Sequence, residues 1–312
     1  MEHMTLFESA PYTRAYLAKR YESLSVIDVN KMSYKNCYTF MYQLKHGKLY
    51  LSQAHTAPID IQPMLLFYGL TQLIKACILT VDPFYPTTTA VLAHGVTTRK
   101  RKKQDYAFLD DEVKIQHRGL YKHMLNTMFH MKHFPIDKYT MKILLKQLPA
   151  MQPLFQSLRS EDIYFIGKHL NESTIVFDSN VLDQYHMTAT RMTNYLHDTG
   201  LKNDSLHTYE KRGDLFLTIS TGNFSVEKLT SLRFTQTHTP VLHRNRADCL
   251  LLPELAVYYL VLYNLSMICR YETEWWGERL HTMDSDDIPF IKSFLRQAQE
   301  RIPQLISAEL DT

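Results

Sequence analysis

Apolar residues recur three to four positions apart along both ends of the chain, which is the spacing of helices that bury one face. The clearest example is the stretch 64–79, where a single stripe is formed by Leu66, Leu70, Leu73 and Cys77. The most apolar segment of all, 250–276, predicts a second buried helix over 253–270, because a helix that is apolar all round has no face suited to water. We expect these two helices to pack on each other in one core.

Further helices are predicted by the same periodicity on both sides of the middle region. They cover 34–44, 120–129, 140–148 and 287–301, and another follows Ser9, which suits the N-cap position. Gly47 is expected to stop or kink the helix at 34–44, which could resume over 48–54. Pro303 is expected to lie just beyond the last helix.

The pattern changes in the middle of the chain, where short runs of β-branched and aromatic residues alternate with polar turns. Strands are predicted at 174–177, 214–219, 232–235 and 240–242, with one helix from 178 or 179 to about 195. The predicted fold class is therefore mainly α: a helical bundle core, formed by 1–159 and 246–312, with a small mixed α/β insertion, 160–245, in the middle of the chain.

Composition narrows the functions that are compatible with this fold. Of 312 residues, 45% are hydrophobic and 21% are charged, as in an ordinary soluble protein. The chain has 9 glycines and contains neither G-x-G-x-x-G nor G-x-x-x-x-G-K-[ST], the two commonest nucleotide fingerprints. No cofactor is expected.

The cysteines indicate a reducing compartment, since none of the four belongs to a C-x-x-C pair and all have apolar or aromatic neighbours. The first twenty residues lack the apolar region of a secretory signal, so a cytoplasmic location is expected. The stretch 250–268 is almost long enough to span a membrane, but Pro253, Glu254 and Asn264 interrupt it. We favour a core helix and expect no membrane partner.

The strongest local concentration of charge is a run of five cations: Arg99, Lys100, Arg101, Lys102 and Lys103. Adjacent cations repel one another unless solvent or an anion screens them. The run either contacts the phosphates of RNA, DNA or a nucleotide, or forms a solvated loop. His94 and Gly95 precede it closely and would suit a phosphate pocket, although a net charge of +3 does not by itself indicate nucleic acid.

Two further pairs are candidates for binding a ligand. Tyr68 and Lys75 are seven residues apart and lie on one face of the helix 64–79, where they could frame a polar pocket unless the lysine side chain extends to the surface. Arg270 and Glu274 close the stretch 250–268 and either line a cleft or cap a helix end packed by tryptophan. His130 and His133 have the spacing of metal ligands on a helix, but no further ligand completes a site, so no metal is expected.

Several blocks of the sequence resemble the YaaC-like family of Firmicute bacteria. They are HGKLYLSQAHTAP (46–58), MLLFYGLTQLIKACILT (64–80), VLAHGVTTRKRKKQ (91–104), GLYKHM (119–124) and LPELAVYYLVLYNLSMICRYETEWW (252–276). The blocks cover both ends of the chain, and the middle insertion matches least. The resemblance implies a cytoplasmic bacterial protein and carries no assigned reaction or catalytic residue.

A second, fold-level similarity concerns helical HEPN-type domains, on the segment LLFYGLTQLIKA followed by His-Gly and a basic stretch. Many such domains bind or cleave RNA with an arginine and a histidine separated by four to six residues. Of three such pairs here, Arg118 and His123 lie beside the basic run and are the candidates for catalysis. Gly119 stands where a polar residue is usual, which argues against nuclease activity.

Three functions remain open on this evidence. The first is a HEPN-like protein that binds RNA or another nucleic acid through the basic run. The second is an enzyme or sensor that binds a small anionic ligand, such as a nucleotide, between the apolar helices. The third is a structural protein that forms a homodimer through exposed aromatic residues, of which the chain has many: 20 tyrosines and 15 phenylalanines.

Overall fold

The computed structural model describes residues 2–98, 106–131, 136–178, 180–199, 206–220, 231–283 and 285–311. The chain divides into two compact units. Unit 1 contains Met1–Met141 and Tyr258–Thr312, and unit 2 contains Lys142–Val257. The predicted insertion, 160–245, lies within unit 2.

Among the described residues, the first part of unit 1 contains four α-helices and a small sheet. The helices are α1 (Ala10–Ser23), α2 (Val29–Thr56), α3 (Gln62–Val81) and α4 (Leu120–Met128). The strands are β1 (Val96–Thr98), β2 (Glu112–Ile115) and β3 (Lys138–Thr140), which form an antiparallel sheet in the order β1-β2-β3. Val96 pairs with Ile115, and Val113 pairs with Tyr139.

Unit 2 combines short helices with two antiparallel sheets. Its helices are α5 (Met141–Leu145), which begins in unit 1, α6 (Gln152–Arg159), α7 (Asn180–Tyr185) and α8 (Ala189–Asp198). Its strands are β4 (Tyr164–Ile166), β5 (Lys168–Asn171), β6 (Thr174–Asp178), β7 (Leu206–Lys211), β8 (Asp214–Ile219), β9 (Leu232–Phe234) and β10 (Pro240–His243). The strand orders are β4-β10-β9 and β5-β6-β8-β7.

The chain then returns to helix. It forms α9 (Glu254–Tyr271), which carries residues of both units, α10 (Thr273–Thr282) and α11 (Asp287–Asp311). The prediction of a mainly α fold with a mixed region in the middle is confirmed. The helices α6 and α10 were not predicted; the α10 segment follows directly on the end of α9 after Glu272.

The helix does not stop at Gly47: α2 continues through this glycine as one helix of 28 residues, which includes the stretch 48–54. Gly47 is instead a point of close contact with α3. A Cβ atom at this position would lie 2.5 Å from Leu73 Cγ and 3.1 Å from the Gly69 carbonyl oxygen. A Cβ atom on Gly69 would in turn lie 2.9 Å from Leu51 Cδ2. The missing side chains therefore let the two helices approach each other closely.

The expected end of the last helix before Pro303 is also wrong, since Pro303 lies inside α11. The helix continues because Ile302, Ile306 and Leu310 extend its buried apolar face at helical spacing. The Leu310 carbonyl also accepts a hydrogen bond of 2.8 Å from the Tyr16 hydroxyl. Tertiary packing thus offsets the hydrogen bond that proline cannot donate.

The single helix expected from 178 or 179 to about 195 is interrupted. His186 has a positive φ of 51°, which ends α7, and the Thr188 hydroxyl accepts a hydrogen bond from the Arg191 amide and starts α8. The buried side chains of α7 and α8, among them Leu182 and Leu196, pack with those of β6 and β8 in the core of unit 2.

The helix α3 is long and apolar enough to cross a membrane, with a mean hydropathy of 1.7. However, 67% of that stretch is buried inside the fold, as in the core helix of a soluble protein. The burial of α3 therefore favours a core helix.

We predict that Gly47→Ala destabilises the protein by roughly 1–2 kcal/mol, because the new methyl group overpacks the contact with Leu73. Gly277→Ala is the matched control: Gly277 also lies within a helix, but nothing approaches within 4 Å of its added Cβ atom. This control should gain about 0.5–1 kcal/mol from helix propensity. Urea denaturation measures both, and equal effects of the two substitutions would contradict the close contact.

Candidate functional site

The site in unit 1 begins with His94, whose backbone is held firmly. The His94 carbonyl accepts hydrogen bonds from the Tyr259 hydroxyl at 2.9 Å and from the Tyr121 amide at 3.2 Å. The next residue, Gly95, has a φ of +78°, and a Cβ atom there would lie 3.0 Å from the Gly119 Cα atom. A side chain at position 95 would therefore disturb the turn that presents His94.

The half-buried imidazole of His94 lies among aromatic rings. The ring centroids of Phe67, Tyr263 and Tyr68 are 4.9, 5.9 and 6.3 Å from that of His94. Its Nδ1 atom is buried and has no hydrogen-bond partner among the described residues. Buried polar atoms without partners are uncommon in folded proteins and often mark a place where a ligand or water binds.

Arg270 joins this group from the last turn of α9. Its Nη1 donates a hydrogen bond of 2.9 Å to the Tyr68 hydroxyl, and its Nε donates one of 2.8 Å to the Ser266 carbonyl. The guanidinium carbon also lies 5.6 Å from the centre of the Tyr68 ring. Tyr50 of α2 packs near the same ring, with the centroids 6.1 Å apart. The described hydrogen-bond partners of the guanidinium are thus all uncharged.

The electrostatics of the site are dominated by cations. Burial lowers the pKa of Lys75, which is half-buried on α3. Burial also lowers the pKa of His94, and the positive charges of Lys75 and Arg270 lower it further. Within the part of the chain that the structure describes, neither cation has an ion pair with a carboxylate. The site can therefore accept an anion.

The predicted residues Tyr68, Lys75, His94 and Arg270 are thus brought together, although 202 positions separate Tyr68 from Arg270. Glu274 lies on α10 with an exposed side chain, and no described hydrogen bond or ion pair joins it to Arg270.

The two residues proposed for HEPN-like catalysis, Arg118 and His123, lie in different surroundings from each other. Arg118 is exposed in the turn before α4. His123 lies on α4, where its Nε2 is 3.0 Å from Asp82 Oδ2 and its ring stacks on Tyr85 with the centroids 5.3 Å apart. The described contacts of His123 are therefore with the end of α3 and the following loop, and none is with Arg118.

The five cations Arg99, Lys100, Arg101, Lys102 and Lys103 lie outside the described residues. On their N-terminal side, β1 ends at Thr98. On their C-terminal side, Tyr106 is buried: its hydroxyl donates a hydrogen bond of 2.5 Å to Asp111 Oδ2, and its ring lies 4.7 Å from that of Trp275. Both flanks of the run thus belong to the packed part of unit 1.

Unit 2 contains a buried polar cluster around His243, which sequence reasoning missed. His243 lies on β10 with no exposed surface, and neither ring nitrogen has a hydrogen-bond partner in the described part of the chain. Arg233 on β9 donates to the carbonyls of Leu250 and Leu252 at 3.1 and 3.0 Å. Lys146 is paired with Glu161 at 2.8 Å and with Asp248 at 3.0 Å. A single histidine in a short strand carries no sequence signal for such a cluster.

An open pocket of about 370 Å³ also lies in unit 2. It is lined by Phe165, Asn180, Asp183, Gln184, His186 and Arg244. The guanidinium of Arg244 stacks over Phe165 at 4.5 Å and is paired with Asp162 at 3.2 Å. Since its cation already has a carboxylate partner, this pocket is a weaker anion site than the one in unit 1. Among the described residues, no group of three or more His, Cys, Asp and Glu side chains could hold a metal ion.

We predict that His243 makes the protein sensitive to acid. Burial, followed by the charges of Arg233 and Lys146, lowers the pKa of His243 from 6.5 to about 3. Because the folded state favours the neutral ring, this stabilisation is complete above pH 6.5 and is lost as the pH falls toward 3. The free energy of unfolding should therefore fall by up to about 1.4 kcal/mol per pH unit in that window.

The measurement is urea denaturation at a series of pH values between about 7 and about 4, where the unfolded-state histidine takes up its proton. His243→Phe should flatten the pH dependence, whereas His207→Phe, at an exposed position of β7, should leave it unchanged. A wild-type protein and a His243→Phe variant with the same slope would show that His243 is not the acid-sensitive group.

Comparison with known proteins places the whole chain in one family. No curated protein and no solved structure matches it, so the similarity to HEPN-type domains stays a prediction. The family described as "YaaC-like Protein" matches residues 5–310, which confirms the resemblance found in the sequence blocks. Because this match covers nearly the entire chain, the protein belongs to the YaaC-like family.

Proposed function

We propose that unit 1 binds a small phosphate-bearing ligand of the nucleotide class at the site formed by Tyr68, Lys75, His94 and Arg270. The observation that carries this proposal is the pair of half-buried cations, Lys75 and Arg270, which have no carboxylate partner among the described residues. Partly burying a cation without an opposite charge costs free energy. A bound phosphate would offset that cost at both cations.

The aromatic rings around His94 favour a ligand that also has a planar ring. Phe67, Tyr68 and Tyr263 surround the imidazole, and flat rings of this kind pack well against a nucleobase. A phosphate group held by cations and a base packed on tyrosine would use both features of the site.

We propose binding at this site and assign no reaction. The described contacts of the His94 ring are with aromatic rings, and its carbonyl accepts from the Tyr259 hydroxyl and the Tyr121 amide. None of these contacts is with a carboxylate that would orient the imidazole as a general base. The free thiols of all four cysteines agree with the cytoplasmic location that the sequence suggests.

RNA, or another nucleic acid, bound through Arg99–Lys103 is the second candidate. It is supported by the position of the run in the sequence, five residues after His94 and directly after β1. A nucleic acid bound to the run and a phosphate bound near Arg270 would both be attracted by the excess of positive charge in this part of the chain.

We predict that isothermal titration calorimetry detects binding of at least one of ATP, GTP and inorganic pyrophosphate. Arg270→Gln and Lys75→Met should each weaken this binding roughly 10- to 100-fold, the effect of losing a charge-assisted hydrogen bond. Tyr68→Phe keeps the aromatic ring and both cations, so its affinity should stay much closer to that of the wild type.

Lys292→Met is the matched control, because Lys292 is an exposed cation on α11 outside the site. Its affinity should equal that of the wild type. Thermal denaturation without ligand checks the fold; Lys75→Met should melt no lower than the wild type, since it removes an unpaired, half-buried charge. The proposal is wrong if no ligand binds, or if Lys292→Met weakens binding as much as the site variants do.

A further inference from the structure

The helix α2 exposes a row of tyrosines that are not part of the packed core. Tyr34, Tyr38 and Tyr42 are 64%, 53% and 60% exposed. They are spaced four residues apart, so they follow one face of the helix with a rise of about 6 Å from each to the next. The rings of Tyr38 and Tyr42 are 6.3 Å apart and inclined by 30°. Three exposed aromatic rings in a row are unusual on a surface that meets only water.

Lysines lie on the same face as these tyrosines. Lys31, Lys35 and Lys45 are exposed and have no ion pair in the described structure. The 28 residues of α2 include no aspartate or glutamate. The fourth lysine of the helix, Lys48, is paired with Glu8 at 3.2 Å.

Nearby groups leave this face positively charged. The guanidinium of Arg14 on α1 lies 5.8 Å from the centre of the Tyr34 ring. The carboxylate at the start of the helix, that of Asp28, caps it by accepting a hydrogen bond of 3.1 Å from the Lys31 amide. Glu22, near the end of α1, is exposed. Cations therefore outnumber acids along the row of tyrosines.

The opposite face of α2 carries the packing of the helix. Its buried residues are Ser33, Asn36, Cys37, Phe40, Leu44, Gly47 and Ala54. The exposed tyrosines take no part in that core, so their side chains can be changed without loss of the fold.

We infer that the α2 face, defined as Lys31, Tyr34, Lys35, Tyr38, Tyr42 and Lys45, binds single-stranded nucleic acid. Stacking of bases on aromatic rings, with lysines along the phosphate backbone, is the common way in which proteins hold single strands without reading their sequence. The run at Arg99–Lys103 has cations but no aromatic residues between them, whereas the α2 face has both. This inference does not rest on the nucleotide site at His94 and Arg270.

A second copy of the chain is a poorer occupant of the α2 face. In a symmetric dimer the same face would meet itself, and its lysines would face lysines with no carboxylate between them. Like charges placed opposite one another oppose association. A polyanion has the complementary charge.

The test is fluorescence anisotropy of the full-length protein with fluorescein-labelled oligo-U and oligo-dT of about 12 nucleotides, and with a duplex of the same length. We expect the single strands to bind more tightly than the duplex. Tyr38→Ala and Tyr42→Ala should each weaken binding about 5- to 100-fold, as removing a stacking residue does. Tyr38→Phe and Tyr42→Phe should retain binding, because phenylalanine keeps the ring.

Lys35→Gln should reduce the salt dependence, lowering the slope of log affinity against log salt by about 1. Tyr209→Ala is the control for the loss of an exposed tyrosine, since Tyr209 lies on β7 of unit 2. A variant with Arg99–Lys103 replaced by glutamine separates the α2 face from the basic run: if strand binding is lost only in that variant, the α2 inference is wrong.

Other outcomes also overturn the inference. If single strands bind equally well to the wild type and to Tyr38→Ala, the α2 face is not their binding site. A dimer in light scattering that Tyr38→Ala converts to a monomer, without binding of any oligonucleotide, would assign the face to a second copy. Because the site variants Lys75→Met and Arg270→Gln keep the α2 face intact, strand binding should survive in them even if nucleotide binding is lost.

Discussion

The close contact between α2 and α3 at Gly47 and Gly69 is the constraint on which the rest of unit 1 depends. With no side chain at either position, the two helices approach until Leu73 and Leu51 fill the space that a Cβ atom would need. This contact fixes the rotation of both helices about their axes. It directs Tyr50 and Tyr68 toward each other and leaves the tyrosine row of α2 facing solvent.

The candidate site in unit 1 carries positive charge that no described carboxylate balances. The helix α3 is almost entirely apolar, yet it carries Lys75 at a half-buried position near His94. Arg270 at the end of α9 adds a second cation, which is held by the Tyr68 hydroxyl and a backbone carbonyl. If these cations only stabilised the fold, a carboxylate beside them would be equally suitable. Lys146 of unit 2 differs in this respect, because it has two acidic partners, Glu161 and Asp248.

Sequence periodicity was sufficient for the fold class, because strongly apolar stripes such as that of α3 depend only on local spacing. It could not predict where elements end. Gly47 and Pro303 have low helix propensity, but tertiary contacts at Leu73 and Leu310 decide that both lie within helices.

The candidate site was predictable in part. Tyr68, Lys75, His94 and Arg270 attract attention as polar residues beside apolar helices, but the hydrogen bond between Tyr68 and Arg270 depends on how distant parts of the chain pack. The lack of a partner for His94 Nδ1, and the burial of His243, are properties of three-dimensional surroundings. The α2 face could not be predicted from the sequence for a different reason. The hydrophobic pattern counts a tyrosine in the same way whether its side chain is exposed or buried.

The pKa of His94, measured by NMR titration of its ring protons with and without saturating pyrophosphate, tests the central claim most directly. In the ligand-free protein the pKa should lie below its ordinary value of 6.5, because burial, Lys75 and Arg270 all oppose protonation. A phosphate bound between these cations would favour the protonated ring and raise the pKa. A pKa at or above 6.5 in the free protein, or no change on saturation, would contradict an anion site at His94.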